Sequence, residues 1–231
     1  MNYEELKQLT SSFLPLSDSQ IESLKKYANL LHEWNDKFNL TAIKDESEVI
    51  EKHFYDCLLP LKSIKMENIK AVDLGSGAGF PGLVFAIAMP TWKVTLVDST
   101  NKKCTFLKEA AKELCLTNVT VINARAEELG MRGQFDLVSA RAVAPLYLLL
   151  ELAMPLLKVD GTFLSMKGSK AEEEVQEAKD AFRKLECKVV SMNTESLPND
   201  VGSRSNIIIK KMKETNKKYP RTWGEMQKHH L

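Results

Sequence analysis

The sequence predicts an α/β protein in which a mostly parallel, doubly wound sheet carries a helical segment at its N-terminus. Apolar runs alternate with helical patterns from residue 70 onward, whereas the first 65 or so residues contain helical patterns alone. Such alternation is typical of βαβ units, whose strands lie side by side in a parallel sheet. With 231 residues, 44% of them hydrophobic, the chain is long enough for one full α/β domain with an appendage.

Two helices are predicted within the N-terminal segment. Ser17 and Gln20 have the spacing of a capping box, and an apolar stripe at helical spacing follows them. Asp45 and Glu48 mark the start of a second helix, which also carries apolar residues on one side. Because these helices cannot bury their apolar faces alone, we expect residues 1–66 to form a cap packed on the domain that follows.

Seven strands are predicted in the next part of the chain, near residues 70–74, 93–98, 119–122, 135–140, 161–167, 186–192 and 205–211. Ser169 and Glu172 have the spacing of a capping box for the helix between the fifth and sixth strands. About eleven residues without a helical pattern join the last two strands, which favours an antiparallel pair. Seven strands with a reversed last one, over residues 67–213, are the layout expected of a class I, Rossmann-like methyltransferase.

A glycine-rich loop follows the first strand and is typical of a site for a nucleotide-like cofactor. Gly75, Gly77 and Gly79 can adopt positive φ and have no Cβ to keep a ligand from the backbone. Asp98 ends the second strand, where a carboxylate can accept hydrogen bonds from both hydroxyls of a ribose.

The glycine spacing alone leaves two cofactors open. The segment from Gly77 to Gly82 also fits the dinucleotide pattern, so an NAD-dependent oxidoreductase is one alternative. Asp73 favours S-adenosylmethionine, because a carboxylate attracts the cationic amino acid end of that cofactor and repels a pyrophosphate. A non-catalytic RNA-binding module that keeps the fold is a second alternative.

Further candidate residues follow the later strands, at the edge where ligands bind in open α/β sheets. Arg125, Ala126 and Glu127 come after the third strand; Glu127 can meet an adenine edge or only favour the start of a helix. Arg141 follows the fourth strand, where it serves either a ligand or a structural ion pair. Lys167 ends the fifth strand, so the crevice is cationic and suits RNA phosphate.

Motifs that are absent from the sequence narrow the range of reactions that the protein could catalyse. The loop after the fourth strand lacks the Asn/Asp-Pro-Pro-aromatic tetrapeptide of exocyclic amine methylation, and no cysteine is placed to attack a pyrimidine carbon. Guanine N7 needs no base, since it has a lone pair and no proton to lose. We interpret His53 as a partly buried helix residue rather than a catalyst, and the four histidines form no metal set.

Bulk properties bear on partners and location. The four cysteines form no Cys-x-x-Cys pair and no export signal or membrane span is present, so we expect a cytoplasmic protein that binds no membrane and no metal. The net charge is +1, but the last 28 residues carry +6. Residues 214–231 are therefore predicted to be a basic tail, which either contacts nucleic acid or is merely solvated.

Six motifs occur in order along the chain: Glu33-Trp34-Asn35, Phe38-Asn39-Leu40-Thr41, Lys52-His53-Phe54-Tyr55-Asp56, Asp73-Leu-Gly-Ser-Gly-Ala-Gly-Phe-Pro-Gly82, Arg125-Ala126-Glu127 and Ser139-Ala-Arg-Ala-Val-Ala144. Together they resemble the glucose-inhibited division protein B family, also called RsmG. The resemblance spans nearly the whole chain. It implies an S-adenosylmethionine-dependent methyltransferase acting on N7 of a guanine in small-subunit (16S) ribosomal RNA.

The resemblance also implies roles for individual residues, and only the stretch after Arg221 departs from the family pattern. Cofactor binding falls on Gly75, Phe80, Ala126, Glu127 and Arg141, beside the residues Asp73, Gly77, Gly79 and Asp98 proposed above. Activity is expected to depend on Arg141, Asn39 and Arg125, and RNA binding on Arg125, Lys167 and Arg204. The expected partner is the ribosomal RNA or the small subunit, and we expect a monomer.

Overall fold

The centre of the protein is a seven-stranded sheet. The computed structural model describes residues 1–199 and 202–231. Its strands are β1 (Lys70–Leu74), β2 (Lys93–Asp98), β3 (Val119–Asn123), β4 (Phe135–Arg141), β5 (Leu157–Lys167), β6 (Cys187–Ser196) and β7 (Ser203–Lys211). They lie in the order β3-β2-β1-β4-β5-β7-β6. Neighbouring strands from β3 to β5 are parallel, whereas β7 is antiparallel to both β5 and β6. The predicted sheet with a reversed last strand is confirmed.

The strand bounds differ from the prediction most at the start of β5 and the end of β6. β6 continues to Ser196, four residues past its predicted end. β5 begins at Leu157, which pairs with Phe135 of β4, and not at Gly161. Asp160 has a φ of 62° and sits inside the strand at a shift of register. An Asp-Gly pair usually marks a turn between elements, so the sequence pattern placed the strand start too late.

Helices cover both faces of the sheet. They are α1 (Tyr3–Thr10), α2 (Asp18–Phe38), α3 (Glu46–Val49), α4 (Asp56–Leu58), α5 (Gly82–Ala88), α6 (Asn101–Glu113), α7 (Leu146–Leu156), α8 (Ala171–Glu177), α9 (Lys179–Lys184) and α10 (Trp223–Lys228). One core contains residues of α2, α5 and α6, and the other contains residues of α7, α8 and α9. No helix of the described residues is long and apolar enough to cross a membrane.

The N-terminal residues pack on the first of these cores. Ser17 and Asp45 cap α2 and α3 as their spacing predicts. Gln20 then reaches the end of α5, donating from Nε2 to the carbonyl of Ile87 across 3.0 Å. A π-helical turn (Ile50–Tyr55) joins α3 to α4, and a 3₁₀ turn (Leu59–Lys62) follows. The single second helix of the prediction is therefore a helical segment with a widened middle.

The predicted capping box before α8 is wrong. Lys170 occupies the N-cap position of this helix, and no side chain caps it. Ser169 lies one residue too early in the chain to accept a hydrogen bond from the first helical turn.

The basic C-terminal residues are docked on the protein. Lys211 is buried, and its ammonium donates to the carbonyl of Leu157 across 2.6 Å. Arg221 forms an ion pair of 2.6 Å with Glu151 of α7, and Met226 of α10 is fully buried. Several of the cations in this part of the chain are therefore engaged by the fold.

Candidate cofactor site and basic cavity

The glycine loop after β1 has left-handed backbone at three positions. Gly75, Gly77 and Gly79 have φ values of 66°, 58° and 99°, which residues with a Cβ rarely adopt. The backbone N–H of Gly77 donates to the carboxylate of Asp98 across 3.0 Å. This bond holds the bare backbone of the loop against the end of β2.

A cavity of about 340 Å³ lies at the carboxyl ends of β1 to β4, and we call it the strand-end cavity. Its volume is in the range of small-molecule sites. The strand order reverses between β1 and β4, which is where open α/β sheets bind ligands. Four residues predicted to bind the cofactor line it together: Gly75, Asp98, Ala126 and Glu127.

The strand-end cavity fits a nucleoside. Asp98 is only 6% exposed, and its two carboxylate oxygens accept backbone hydrogen bonds from Gly77 and Thr100, of 3.0 and 2.8 Å. Each oxygen keeps a second lone pair, so both can also accept from ribose hydroxyls. A Cβ on Gly75 would lie 2.7 Å from Cγ2 of Val143, so only glycine lets the loop after β4 approach so closely.

Asp73 lies beneath the loop and does not line the strand-end cavity. It is 1% exposed, and it accepts hydrogen bonds from the Ser139 hydroxyl (2.9 Å) and the Gly82 N–H (3.1 Å). Burial raises the pKa of Asp73 to about 6. The carboxylate thus joins β1 to β4 and to the start of α5, and the structure does not bring it to the place where the cofactor's amino group was expected.

Three other predicted cofactor residues also lie outside this cavity. Gly77 is bonded to Asp98, and Gly79 faces the helical cap, where an added Cβ would lie 2.6 Å from the Tyr27 hydroxyl. Phe80 is buried, and its ring stacks on the imidazole of His53 with 4.3 Å between centroids. These three residues therefore make contacts within the protein and do not line the strand-end cavity.

A second cavity, of about 480 Å³, adjoins the first, and Ala142 lines both. We call it the basic cavity because its wall carries four cationic side chains: Lys52, Arg141, Lys167 and Arg204. Arg141, predicted to bind the cofactor, therefore faces the neighbouring cavity. Arg204 also lies here, with its Nε 3.8 Å from the Asp56 carboxylate.

Arg141 is held by residues of the helical cap. Its Nη1 donates to Asp56 and to the carbonyl of Lys52, both across 3.2 Å, and its Nη2 lies 3.1 Å from Nδ1 of His53. The guanidinium carbon lies 4.9 Å from the centroid of the Phe80 ring. The structural ion pair weighed as an alternative is thus present, and the same side chain still lines the basic cavity.

His53 is neutral in this environment. Burial, and then the charge of Arg141, lower the pKa of the imidazole to about 3. Nδ1 lies 3.1 Å from both the Arg141 guanidinium and the carbonyl oxygen of Lys52, and Nε2 lies 3.0 Å from the Thr41 hydroxyl, so both ring nitrogens have partners within the protein. His53 therefore has no free nitrogen to act as a base.

Two cations predicted to bind RNA differ sharply in exposure. The side chain of Lys167 is 7% exposed and forms a 2.7 Å ion pair with Glu174. Its ammonium also donates to the carbonyl of Ala144 across 2.6 Å. Arg125 is 59% exposed, and its nearest carboxylate oxygen, on Glu127, is 3.8 Å away. Of the two, only Arg125 presents its charge to solvent.

Asn39 is not brought together with Arg125 or Arg141. It ends α2 in the left-handed conformation, with φ of 50°, and lines neither cavity. Its neighbour Asn35 is buried, and Oδ1 of Asn35 accepts from the N–H of Thr41 across 2.9 Å. Asn39 therefore serves in this structure as a helix C-cap.

Sequence reasoning missed several residues that line the cavities, among them Lys52, Asp56 and Trp223. Lys52 and Asp56 were noticed only as parts of a motif, although π-helical turns such as Ile50–Tyr55 often occur at functional sites. Trp223 lines the strand-end cavity from the C-terminal segment, where the family pattern had ended. Within residues 1–199 and 202–231, no three His, Cys, Asp or Glu side chains are grouped so that they could hold a metal ion.

Comparison with known proteins agrees with this architecture. A variant of the 16S rRNA (adenine(1408)-N(1))-methyltransferase of Catenulisporales acidiphilia has the same fold, with a TM-score of 0.54 and 15% identity. The alignment covers 65% of this chain and 88% of that one. The class I methyltransferase fold predicted from the sequence is confirmed.

Relatives and a family model give a closer assignment. The ribosomal RNA small subunit methyltransferase G of Lactococcus lactis is 45% identical over 227 residues, covering 96% of this chain and 95% of the relative. The protein of that name from Streptococcus pyogenes is 46% identical over 215 residues, 90% of each chain. The GidB family model, rRNA small subunit methyltransferase G, matches residues 20–202. The family predicted from the motifs is confirmed, and the chain belongs to the rRNA small subunit methyltransferase G family.

Proposed function

We propose that this protein transfers a methyl group from S-adenosylmethionine to N7 of a guanine in small-subunit ribosomal RNA. The observation that carries the proposal is the junction of two unlike cavities at Ala142. One offers the carboxylate and bare backbone that suit a nucleoside, and the other is lined by cations that suit an RNA phosphate and base.

The strand-end cavity is the proposed cofactor site. Asp98 would hold the ribose hydroxyls, and the bare main chain of Gly75 would lie against the ligand. Ala126 and Glu127 would border the adenine. When bound there, S-adenosylmethionine supplies a methyl group activated on a sulfonium. The protein's own contribution is to orient the two partners, because an in-line transfer depends chiefly on positioning.

The basic cavity is the proposed site of the acceptor base. Among its described lining residues, His53 is neutral and bonded at both nitrogens, and Asp56 and Glu174 are paired with cations. A site without an available base suits an acceptor that has a lone pair and no proton to lose, as guanine N7 does. Arg141 is the charged group best placed to orient that base, and Arg125 to hold the RNA outside it.

The proposed partner is the ribosomal RNA, free or within the small subunit, and the proposed location is the cytoplasm. The cationic side chains around the basic cavity support an RNA partner. We propose that the protein acts as a monomer.

Tritiated methyl transfer tests the proposal directly. Small subunits and free small-subunit RNA that lack the modification would be incubated with the protein and labelled S-adenosylmethionine. We expect label in one guanine, and strand cleavage there after borohydride and aniline treatment, which detects N7-methylguanine. Asp98→Asn should transfer far less at low cofactor concentration, because the charge-assisted bonds to ribose, of about 1–3 kcal/mol, are weakened. RNA binding without transfer would instead support a non-catalytic module, and NAD binding an oxidoreductase.

A further inference from the structure

The C-terminal segment that follows β7 is fixed to the protein at several points. Arg132, which lies in the loop before β4, donates from Nη2 to the carbonyl of Thr215 across 2.7 Å and from Nη1 to the carbonyl of Tyr219. Arg221 donates three hydrogen bonds to the buried carboxylate of Glu151, from its backbone N–H, Nε and Nη2. The segment is therefore held in one place on the face of the sheet covered by α7.

Docking of this segment places Trp223 beside the strand-end cavity. Trp223 begins α10, and the Thr222–Glu225 capping box and the buried Met226 fix that helix. Among the described residues that line the cavity, Trp223 is the sole aromatic one. The indole is half-buried, so part of its surface remains available to a ligand.

Other contacts show at which end of the cavity Trp223 lies. A separate cavity of about 310 Å³ is lined by Trp223 and also by Arg125, Glu127 and Glu128, which follow β3. β3 is the edge strand of the sheet, and β2 and β1 separate it from β4, which precedes the junction at Ala142. Trp223 therefore lies toward the β3 end of the strand-end cavity.

We propose that Trp223 forms one wall of the adenine subsite and stacks its indole on the adenine of the cofactor. Glu127, whose carboxylate is largely buried at the same end of the cavity, then accepts from the exocyclic amine. The inference rests on the proposed function, because it presumes an adenosyl ligand in the strand-end cavity. It adds that the C-terminal segment, beyond residues 20–202 of the family match, completes the cofactor site.

Ligand binding with a fluorescence readout tests the proposal without any methyl transfer. The chain has three tryptophans, and Trp92 is fully buried in the opposite core. Titration with S-adenosylhomocysteine should quench the emission of the wild-type protein, whereas Trp223→Phe should bind with similar affinity and show little quenching. Trp223→Ala should lose about 5- to 150-fold in affinity for S-adenosylhomocysteine and for adenosine, the range for loss of an aromatic under a base.

A matched variant and a second measurement separate the possible outcomes. Gln227→Ala, an exposed change in the same helix, should bind and quench like the wild type. Hydrogen exchange over residues 215–229 reports whether the segment stays docked in Trp223→Ala. Equal affinity of wild type and Trp223→Ala, or equal quenching in wild type and Trp223→Phe, would overturn the stacking role alone. Failure of the wild type to bind S-adenosylhomocysteine would overturn the proposed function together with it.

Discussion

Nη2 of Arg141 lies 3.1 Å from Nδ1 of His53, so a residue at the end of β4 meets a buried residue of the helical cap. The same guanidinium pairs with Asp56, three residues further along the cap. A positively charged imidazole would meet the fixed charge of Arg141 inside a buried site. This contact therefore ties the cap to the sheet only while the imidazole is neutral.

Acid should destabilise the protein through His53. The folded protein keeps this imidazole neutral because its pKa is lowered to about 3, whereas the unfolded chain protonates it below about pH 6.5. The unfolded state then binds more protons than the folded state, so the free energy of unfolding decreases as the pH is lowered through this range. We expect His53 to remove about 2 kcal/mol of stability between pH 8 and pH 5. Chemical denaturation at several pH values measures the effect.

The comparison with His53→Gln isolates this contribution. Asp73 acts in the opposite direction, because its raised pKa of about 6 lets the folded state bind a proton more readily than the unfolded chain. Glutamine can still accept from Arg141 and donate to Thr41 but does not titrate. The wild type should therefore lose more stability on acidification than His53→Gln, and parallel curves would show that His53 is not held neutral.

The rate of methyl transfer should not depend on a base that titrates near neutrality. Since the described residues of the basic cavity offer no free base, the single-turnover rate should be flat between pH 6 and pH 8 with both substrates saturating. His53→Gln should keep the rate within about tenfold, a barrier change of about 1.4 kcal/mol. A limb near pH 6.5 that disappears in His53→Gln would point to base catalysis and to an acceptor other than N7.

Local patterns predicted the elements well, because apolar runs and caps act within a few residues. The strands, the reversed β7 and the caps at Ser17 and Asp45 were all predicted from such local patterns. The π-helical turn was not predicted, and neither was the contact of Arg141 with Asp56 and His53, which lie 85 and 88 positions away in the sequence. The burial of individual charged side chains could not be predicted from the sequence either, because the partner of each charge is remote in the sequence.

The same reasoning applies to the candidate site. Gly75, Asp98, Ala126 and Glu127 line one cavity, because the ends of parallel strands meet at one edge. Asp73 also ends up at this edge, but its side chain points to Ser139 and Gly82, which strand alternation alone does not reveal.

Two glycine substitutions should differ in their effect on the cofactor site. Gly75→Ala and Gly77→Ala both place a side chain at positive φ, at a cost of about 1 kcal/mol each in stability. Only Gly75→Ala also pushes on Val143, 2.7 Å away, whereas the nearest atom to a Cβ at Gly77 is 3.8 Å away. Gly75→Ala should weaken S-adenosylhomocysteine binding about tenfold more, which is 1.4 kcal/mol by calorimetry.

The double substitution Gly75→Ala with Val143→Ala shows where this loss arises. It removes both methyl groups that the new Cβ would meet. If bare backbone at Gly75 is needed for the ligand itself, the weak binding should persist in the double variant. Recovery of wild-type affinity would mean that only the displaced Val143 obstructs the cavity, and equal affinity of the two single variants would contradict the role of Gly75.

Arg125 and Lys167 should differ in their effect on RNA binding. Arg125→Ala removes an exposed cation. The slope of log RNA affinity against log salt concentration should therefore become less steep by about 0.7–0.9, the change expected for the loss of one phosphate contact. Lys167→Ala should leave this slope unchanged, because its ammonium is bound to Glu174 and Ala144, and should lower the thermal midpoint instead. Filter binding at several salt concentrations measures the slopes, and a flatter slope for Lys167→Ala would place that residue at the RNA.

The ion pair between Arg221 and Glu151 should be the main interaction that holds the C-terminal segment on the rest of the protein. Glu151 is 1% exposed, so Arg221→Ala leaves a buried carboxylate with only the backbone N–H of residue 221 as a donor. Breaking a buried pair in this way costs about 3–5 kcal/mol, which lowers the thermal midpoint by roughly 6–15 °C in a chain of this size. Glu151→Gln combined with Arg221→Gln leaves no buried charge and should recover much of this loss. A midpoint for Arg221→Ala within about 2 °C of the wild type would show that the segment is held by Met226 and Tyr219 and not by the ion pair.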